Sequence, residues 1–459
     1  VANNLLTMSY ITNEALVVLE NELVIANRVE RQYSAEFAQT GAKIGNTVNI
    51  RRPARYIGTY GPPLNVEDTN ETNQPVSLNY QFHVDVQFTT QDLALSMDMF
   101  KKRVLRPQIA TVANRVDSDS AQYYTYNTAT NLGTPGIQPS SYKIFSDANA
   151  FLLAEACPTE GEKNCILDPI TMSAATDGIK GLFNPQAKIG GYNEKGIVAR
   201  EFAGLDWWNS QNILSFTTGT QTGLTTATTG VYQTATGTTA ILTSGWAASG
   251  TIVLGGFTAS AGTSAVTVGD TIQFTGIYPV NPQNRLQYGR TAKQFVVLPA
   301  GGFSPPPNGA ATTGIYYAPA TLTNGTFNNL TGVYSTDGSG YVQVTIAECI
   351  ISGGQFQNVT AAPVAGTTNF TVNGGYANRS ITTPQGLVFH KYAYALAFAD
   401  LPLPRGVEFA ERAYDDEDVG MSIRVVSQYT INNDSEPTRA DVLYGPASLY
   451  RQLGIRING

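Results

Sequence analysis

QDLALSMDMFKKRVLRPQIATVANRVDSDSAQYY, residues 91–124 of a run that continues to 127, is the one long stretch of this 459-residue chain with sustained helical periodicity. Leu93, Met97, Phe100 and Val104 follow four-three-four spacing, and Leu105, Ile109, Val112, Val116 and Tyr123 resume the stripe one position later. The offset falls beside Pro107. A proline inside a helix removes one backbone donor and crowds the preceding turn, so the spacing predicts one long kinked helix. At about 1.5 Å per residue it would span roughly 50 Å, longer than one compact core needs. Its other face carries Lys101, Lys102, Arg103, Arg106 and Arg115, with Asp92, Asp98, Asp117 and Asp119 towards the ends. Such a face is either solvated or a set of partners for acidic surfaces on neighbouring copies.

The totals narrow the classes. The length allows two or three domains with proper cores. No apolar run is long enough to cross a bilayer and no basic-then-apolar leader is present, which predicts a soluble chain made without a secretion signal. Cys157, Cys165 and Cys349 form no close pair, and His83 and His390 are the only histidines, so reduced buried thiols are expected and a structural zinc site is not. A net charge of −7 without a large lysine and arginine cluster argues against a sequence-reading nucleic-acid protein.

Outward from the long helix, residues 3–32 read as a short lead and an amphipathic helix. Thr12 or Asn13 caps it, Glu14 sits in the first turn, and Leu16, Leu19, Leu23 and Ala26 make its apolar side. In AKIGNTVNIRRPARYIGTYGPP, Val48 and Ile50 alternate with polar residues as in a strand ending near Pro53. Leu78, Tyr80, Phe82, Val84 and Val86 alternate strictly after a turn-rich segment that carries Glu67, Asp68 and Glu71. Together these predict a long hairpin with an acidic tip. A two-stranded ribbon is marginal alone in water, so its missing partner is expected to be another chain.

After the helix, KNCILDP reads as a short strand and PITMSAATDGIKGLF as a helix. The composition then changes abruptly. Between Gln211 and Gln385 the only charged residues are Asp270, Arg285, Arg290, Lys293, Asp337, Glu348 and Arg379, about one in twenty-five against about one in five in the flanks. With turn dipeptides at Asn324-Gly325, Asp337-Gly338 and Asn373-Gly374, this predicts an inserted all-β barrel or sandwich. TPQGLVFHKYAYALAFADLPLPRG reads as an alanine-rich helix starting at Thr382 or Thr383 before Pro384 and ended by Pro402. MSIRVVSQYTI reads as a strand. The expected division is 1–44 an arm, 45–90 the extended loop, 91–132 the long helix, 133–214 with 386–459 one α+β unit, and 215–385 the insertion.

No catalytic or metal constellation stands out. A hydrolase needs a nucleophile, a base and an orienter within reach of one another. His83 and His390 read as surface or packed residues. The run Asp415, Asp416, Glu417 and Asp418 lacks the spaced ligands and turn glycine of a calcium loop and reads as a solvated acidic loop. The expectation is a non-enzyme with no cofactor.

GNTVNIRRP, GDTIQFTGIYPVNPQ with KQFVVL, LVFHKYAYALAFADLP, and MSIRVV with DVLYGPASLYRQLGIRI occur in an order that resembles the major capsid proteins of tailed bacteriophages, in the P22-like branch of the Hong Kong 97-like fold. The resemblance implies an α+β subunit with an N-terminal arm, an extended loop, a spine helix, peripheral and axial domains and a β-barrel insertion. It also implies a shell of hexamers and pentamers in an icosahedral virion, assembled in the host bacterial cytoplasm. That shell would enclose double-stranded DNA without sequence-specific binding, with a portal at one vertex, a separate scaffolding protein and no membrane.

Within that reading, Arg51, Arg52 and Arg55 at the hairpin base are expected to meet carboxylates of an adjacent subunit, because arginine's fork suits bidentate pairing, and Glu67 and Asp68 are the acidic counterparts at the tip. Glu14, Glu20 and Glu22 are expected to dock a basic scaffolding helix. A protein-compartment shell of the same fold, or a phage fibre or adhesin binding glycans through its threonine-rich middle, are the alternatives.

Overall fold

The computed structural model describes residues 23–31, 45, 47–89, 106–158, 162–179, 202–224, 230–233, 238–307, 316–414 and 421–459. Residues 91–105 of the long-helix reading, Glu14, Glu20, Glu22 and the acidic run 415–418 lie outside them. Two compact units emerge: Val1–Asn49, Pro75–Ala121 and Tyr394–Ala447 supply the first, and Ile50–Gln74, Gln122–Ala393 and Ser448–Gly459 the second.

In the first unit, strand Ser435–Ser448 is hydrogen-bonded to Tyr394–Ala399 and to Ser422–Ser427, which in turn pairs with Phe409–Tyr414. Strands β1 (Thr47–Arg52) and β2 (Thr72–Ser77), which cross from one unit into the other, pair with each other, so a hairpin forms but its returning strand lies in the segment read as turn-rich and not in the alternating run from Leu78 to Val86. β3 (Tyr80–Thr89) does not join them. It runs antiparallel along Ser435–Ser448 from Tyr80 opposite Tyr444 to Thr89 opposite Ser435. The partner expected from another chain for this segment is therefore supplied by the same chain, while the alternation itself is realised: Tyr80, Phe82, Val84 and Val86 are half-buried and the residues between them exposed. Gly445 lies so close to β2 that a Cβ there would stand 2.1 Å from the Ser77 carbonyl oxygen, which explains a glycine in this strand.

Helix α1 (Arg106–Asn127) buries Ile109, Val112 and Val116 of the stripe read from the sequence, with Ala113 beside them. Gln108 donates to the Val84 carbonyl at 2.8 Å and the Arg115 guanidinium lies 5.8 Å from the Phe82 ring, so the helix is seated on β3. Its charged face departs from the solvated reading. Asp117 and Asp119 are buried, because each finds hydrogen-bond donors inside the unit. Asp117 accepts from the backbone amides of Val24 at 2.7 Å, Ile25 at 3.2 Å and Ala26 at 3.1 Å. Asp119 accepts from Tyr444 at 2.6 Å and from Arg115 at 3.0 Å. The segment held by Asp117 contains only a single 3₁₀ turn, Ala26–Arg28, so the helix expected through Leu23 and Ala26 does not continue there. Those amides bond to a carboxylate instead of to carbonyls of a preceding turn.

The second unit contains a sheet in the order Thr130–Leu132, Gly454–Asn458, Thr382–His390, Lys163–Leu167, Asp206–Asn209, with Ser215–Thr217 also paired to Thr382–His390. Helices α2 (Tyr142–Ala154) and α3 (Pro169–Ile179) accompany it. The segment read as an alanine-rich helix is two strands, Thr382–His390 and Tyr394–Ala399, nearly every residue of which is buried. A strand covered on both faces shows a continuous apolar run, and such a run carries no period that separates it from a buried helix. His390, placed in that helix by the sequence reading, is a buried strand residue whose Nδ1 accepts from the Tyr392 amide at 3.3 Å.

The charge-poor stretch closes a six-stranded barrel in the order Ser249–Gly255, Val342–Ala347, Gln294–Leu298, Thr271–Phe274, Asn369–Val372, Gly230–Gln233. Ile252, Leu254, Phe274, Phe295, Val344 and Phe370 fill it. Closure removes sheet edges, so the fold needs few charges to guard them. At its junction with the sheet, buried Asp270 accepts from the Gly219 amide at 3.1 Å, the Thr267 amide at 2.8 Å and Asn373 Nδ2 at 2.8 Å. Arg456, fully buried on strand Gly454–Asn458, donates to the Gly269 carbonyl at 2.8 Å. All three cysteines are buried and unbridged. No helix of the described residues is long and apolar enough to cross a membrane.

Candidate assembly interface

The site is built where β1 leaves its pairing and the chain runs through 53–71 to β2. Strand alternation decides the fate of each arginine. Val48, Ile50 and Arg52 take the buried face of β1, and Asn49 and Arg51 the exposed one. Arg51 accordingly remains at the surface, 3.8 Å from the Glu71 carboxylate in a pair that water screens. Arg52 is enclosed, its guanidinium 5.1 Å from the Trp246 ring and 4.7 Å from the Tyr450 ring. Burial lowers its pKa, and the charge of Glu348 opposes that shift. Two aromatic rings this close are a favourable setting for a weakly hydrated planar cation. Arg55 reaches the Phe356 ring at 5.9 Å.

Past Arg55 the chain braces itself. Glu67 accepts from the amides of Ile57 at 2.7 Å and Gly58 at 2.6 Å, and the hydroxyls of Tyr56 and Thr69 lie 3.1 Å apart. Glu67 thus ties the outgoing leg to the returning one and is spent on its own loop. The Asp68 carbonyl accepts from Gln355 Nε2 at 2.8 Å. Between these ties the loop presents Tyr60, Leu64 and Val66 at 107%, 91% and 78% exposure, with Tyr56 and Ile57 also more than half exposed. Five large apolar side chains are thus exposed on one loop.

Of the residues singled out from the sequence, the structure gathers Arg51, Arg52, Arg55, Glu67 and Asp68 on one loop and its base. It turns Arg52 inward, because the period of two that buries Val48 and Ile50 buries Arg52 as well. That signal was legible in RRP. The aromatic partners Trp246, Phe356 and Tyr450 were not, since they come from segments up to four hundred positions away.

The family model of the P22 coat protein, gene protein 5, matches residues 1–304. No curated protein matches. Among solved structures, a chain of Mycobacterium phage Che8 is similar at 10% identity, covering 95% of this chain and 90% of that one, with a TM-score of 0.38. The mature capsid of bacteriophage PhiM1 is similar at 9% identity, covering 91% and 82%, with a TM-score of 0.39. The capsid of Cyanophage P-SCSP1u is similar at 10% identity, covering 94% and 86%, with a TM-score of 0.37.

The chain belongs to the P22 coat protein family, a class of phage coat subunit, and its described residues build an α+β fold. In particular it is a major capsid protein, a structural protein of the virion whose copies assemble into the head shell.

Proposed function

We propose that the chain forms hexamers and pentamers of an icosahedral head that encloses double-stranded DNA without reading its sequence, assembled in the host bacterial cytoplasm with a separate scaffolding protein and a portal at one vertex. The observation that carries this reading is the braced loop with its uncovered apolar tip. A lone subunit leaves Tyr60, Leu64 and Val66 in water, and a neighbouring copy in a closed symmetric shell removes them from it. At this interface Arg51 and Arg55 meet carboxylates of the adjacent subunit, with Asp68 among the acidic groups offered in return. Arg52 supports the loop from within. The arm glutamates Glu14, Glu20 and Glu22 dock a basic scaffolding helix, and maturation reorients rigid domains against the long helix.

Electron microscopy of the purified chain with and without a candidate scaffolding protein tests the reading. Closed shells of uniform size are expected when the scaffold is present. A chain that stays monomeric under every condition and binds glycans would instead support the fibre or adhesin alternative. Charge reversal of Arg51 and Arg55 is expected to block shell formation and leave the monomer folded; wild-type shells from that double variant would discard the intersubunit role.

A further inference from the structure

The extended loop is gripped from the barrel side at both of its legs. On the outgoing leg, Arg285 donates to the Tyr56 carbonyl at 3.1 Å, just beyond the contact of Arg55 with Phe356. On the returning leg, Gln355 donates to the Asp68 carbonyl at 2.8 Å and accepts from Asn70 at 3.2 Å. Both gripping residues sit on barrel loops that are themselves fixed. Asn281 accepts from the amides of Gln283 at 2.8 Å and Asn284 at 3.1 Å, holding a turn in which Arg285 takes a positive φ of 57°. Asn358 accepts from the Ile351 amide at 2.9 Å and donates to the Cys349 carbonyl at 2.9 Å, closing the loop that carries Gln355. The division into units agrees: Ile50–Gln74 falls in the same unit as the barrel, while Val1–Asn49 and Pro75–Ala121 on either side of it fall in the other.

We propose that Arg285 and Gln355 are positioning residues through which the barrel sets the direction of the extended loop in its own subunit, and hence the curvature of the shell. The inference rests on the shell-subunit reading. It differs from a purely stabilising role for the barrel, because these hydrogen bonds are at the surface and contribute little to global stability. The two residues contact main-chain carbonyls, so the grip does not depend on the side chains of the apolar tip. It leaves Tyr60 and Leu64 free to meet a neighbour while the legs beneath them are fixed.

The test is Arg285→Ala with Gln355→Ala. Thermal melting of the soluble subunit is expected to match wild type, while trypsin cleavage between Arg55 and Tyr56 becomes roughly tenfold faster as the leg opens. In assembly the double variant is expected to give shells of mixed size or open sheets where wild type gives one size. Unchanged cleavage overturns the grip, and uniform wild-type shells despite faster cleavage overturn its control of curvature. If the double variant does not fold, Gln355→Ala alone carries the same two readouts. Failure of the wild-type chain to form any shell would strike the shell-subunit reading, and the cleavage rates would still decide whether the barrel holds the loop.

Discussion

Tyr444 donates its hydroxyl hydrogen to the Asp119 carboxylate at 2.6 Å, linking the central strand of the first unit to α1 across 325 positions of sequence. Both groups are buried, and Arg115 completes the set from one turn earlier on the helix. Tyr444→Phe removes one donor and leaves a buried carboxylate short of a partner. The expected loss is about 1–3 kcal/mol, read as a lower urea midpoint at unchanged slope. An unchanged midpoint would mean that Arg115 alone satisfies Asp119.

Asp117 gives the unit a pH dependence of defined sign. Burial raises its carboxyl to about 6 from the ordinary 3.8, although the amides of Val24, Ala26 and Ile25 pull the other way. Between these values the folded chain holds a proton that the unfolded chain has released. The stabilisation is therefore fully present below about pH 4 and is lost as pH rises through about 6, amounting to roughly 3 kcal/mol at most. Asp119, also raised by burial, titrates in the same sense. Asp117→Asn keeps an acceptor for the three amides, so the expected result is a flatter stability profile across this window. A profile as steep as wild type would remove Asp117 as its source.

Arg52 is held by two rings and not by a single carboxylate fork. Arg52→Met keeps much of the apolar contact and loses the cation, and Arg52→Ala loses both. The expected order of stability is wild type, Met, Ala, with Ala down by about 2–3 kcal/mol in denaturant unfolding. Equal loss for both variants would assign the stabilisation to charge alone.

The tip is expected to behave in the opposite way. Tyr60→Ser with Leu64→Ser removes apolar surface that is exposed among the described residues, so subunit stability should move by less than about 0.5 kcal/mol. Shell formation should fall to a small fraction of wild type, measured by light scattering and microscopy. A stability loss of several kcal/mol would show that the tip is part of the subunit's own core.

Much of this architecture was written locally. The period of two from Tyr80 to Val86, the helical stripe from Ile109 to Val116 and the fall in charge that marks the barrel are each properties of a short window. What the windows concealed were partners. β3 and Ser435–Ser448 lie about 350 positions apart, and nothing in either names the other. Asp117 and Asp119 look solvated until Val24, Ile25, Ala26 and Tyr444 arrive to satisfy them. The run through LVFHKYAYALAFA misleads for a related reason, since burial on both faces erases the alternation that identifies a strand. Among the three arginines of the loop base, alternation alone separates the buried Arg52 from the exposed Arg51.

The central claim is that the apolar tip of the extended loop, exposed among the described residues of its own subunit, is covered by a neighbour in the shell. Amide hydrogen exchange of residues 57–66, compared between the free subunit and assembled shells, tests it most directly. The account predicts fast exchange in the free subunit and strong protection in the shell. Equally fast exchange in both states, from particles verified as closed by microscopy, would contradict it.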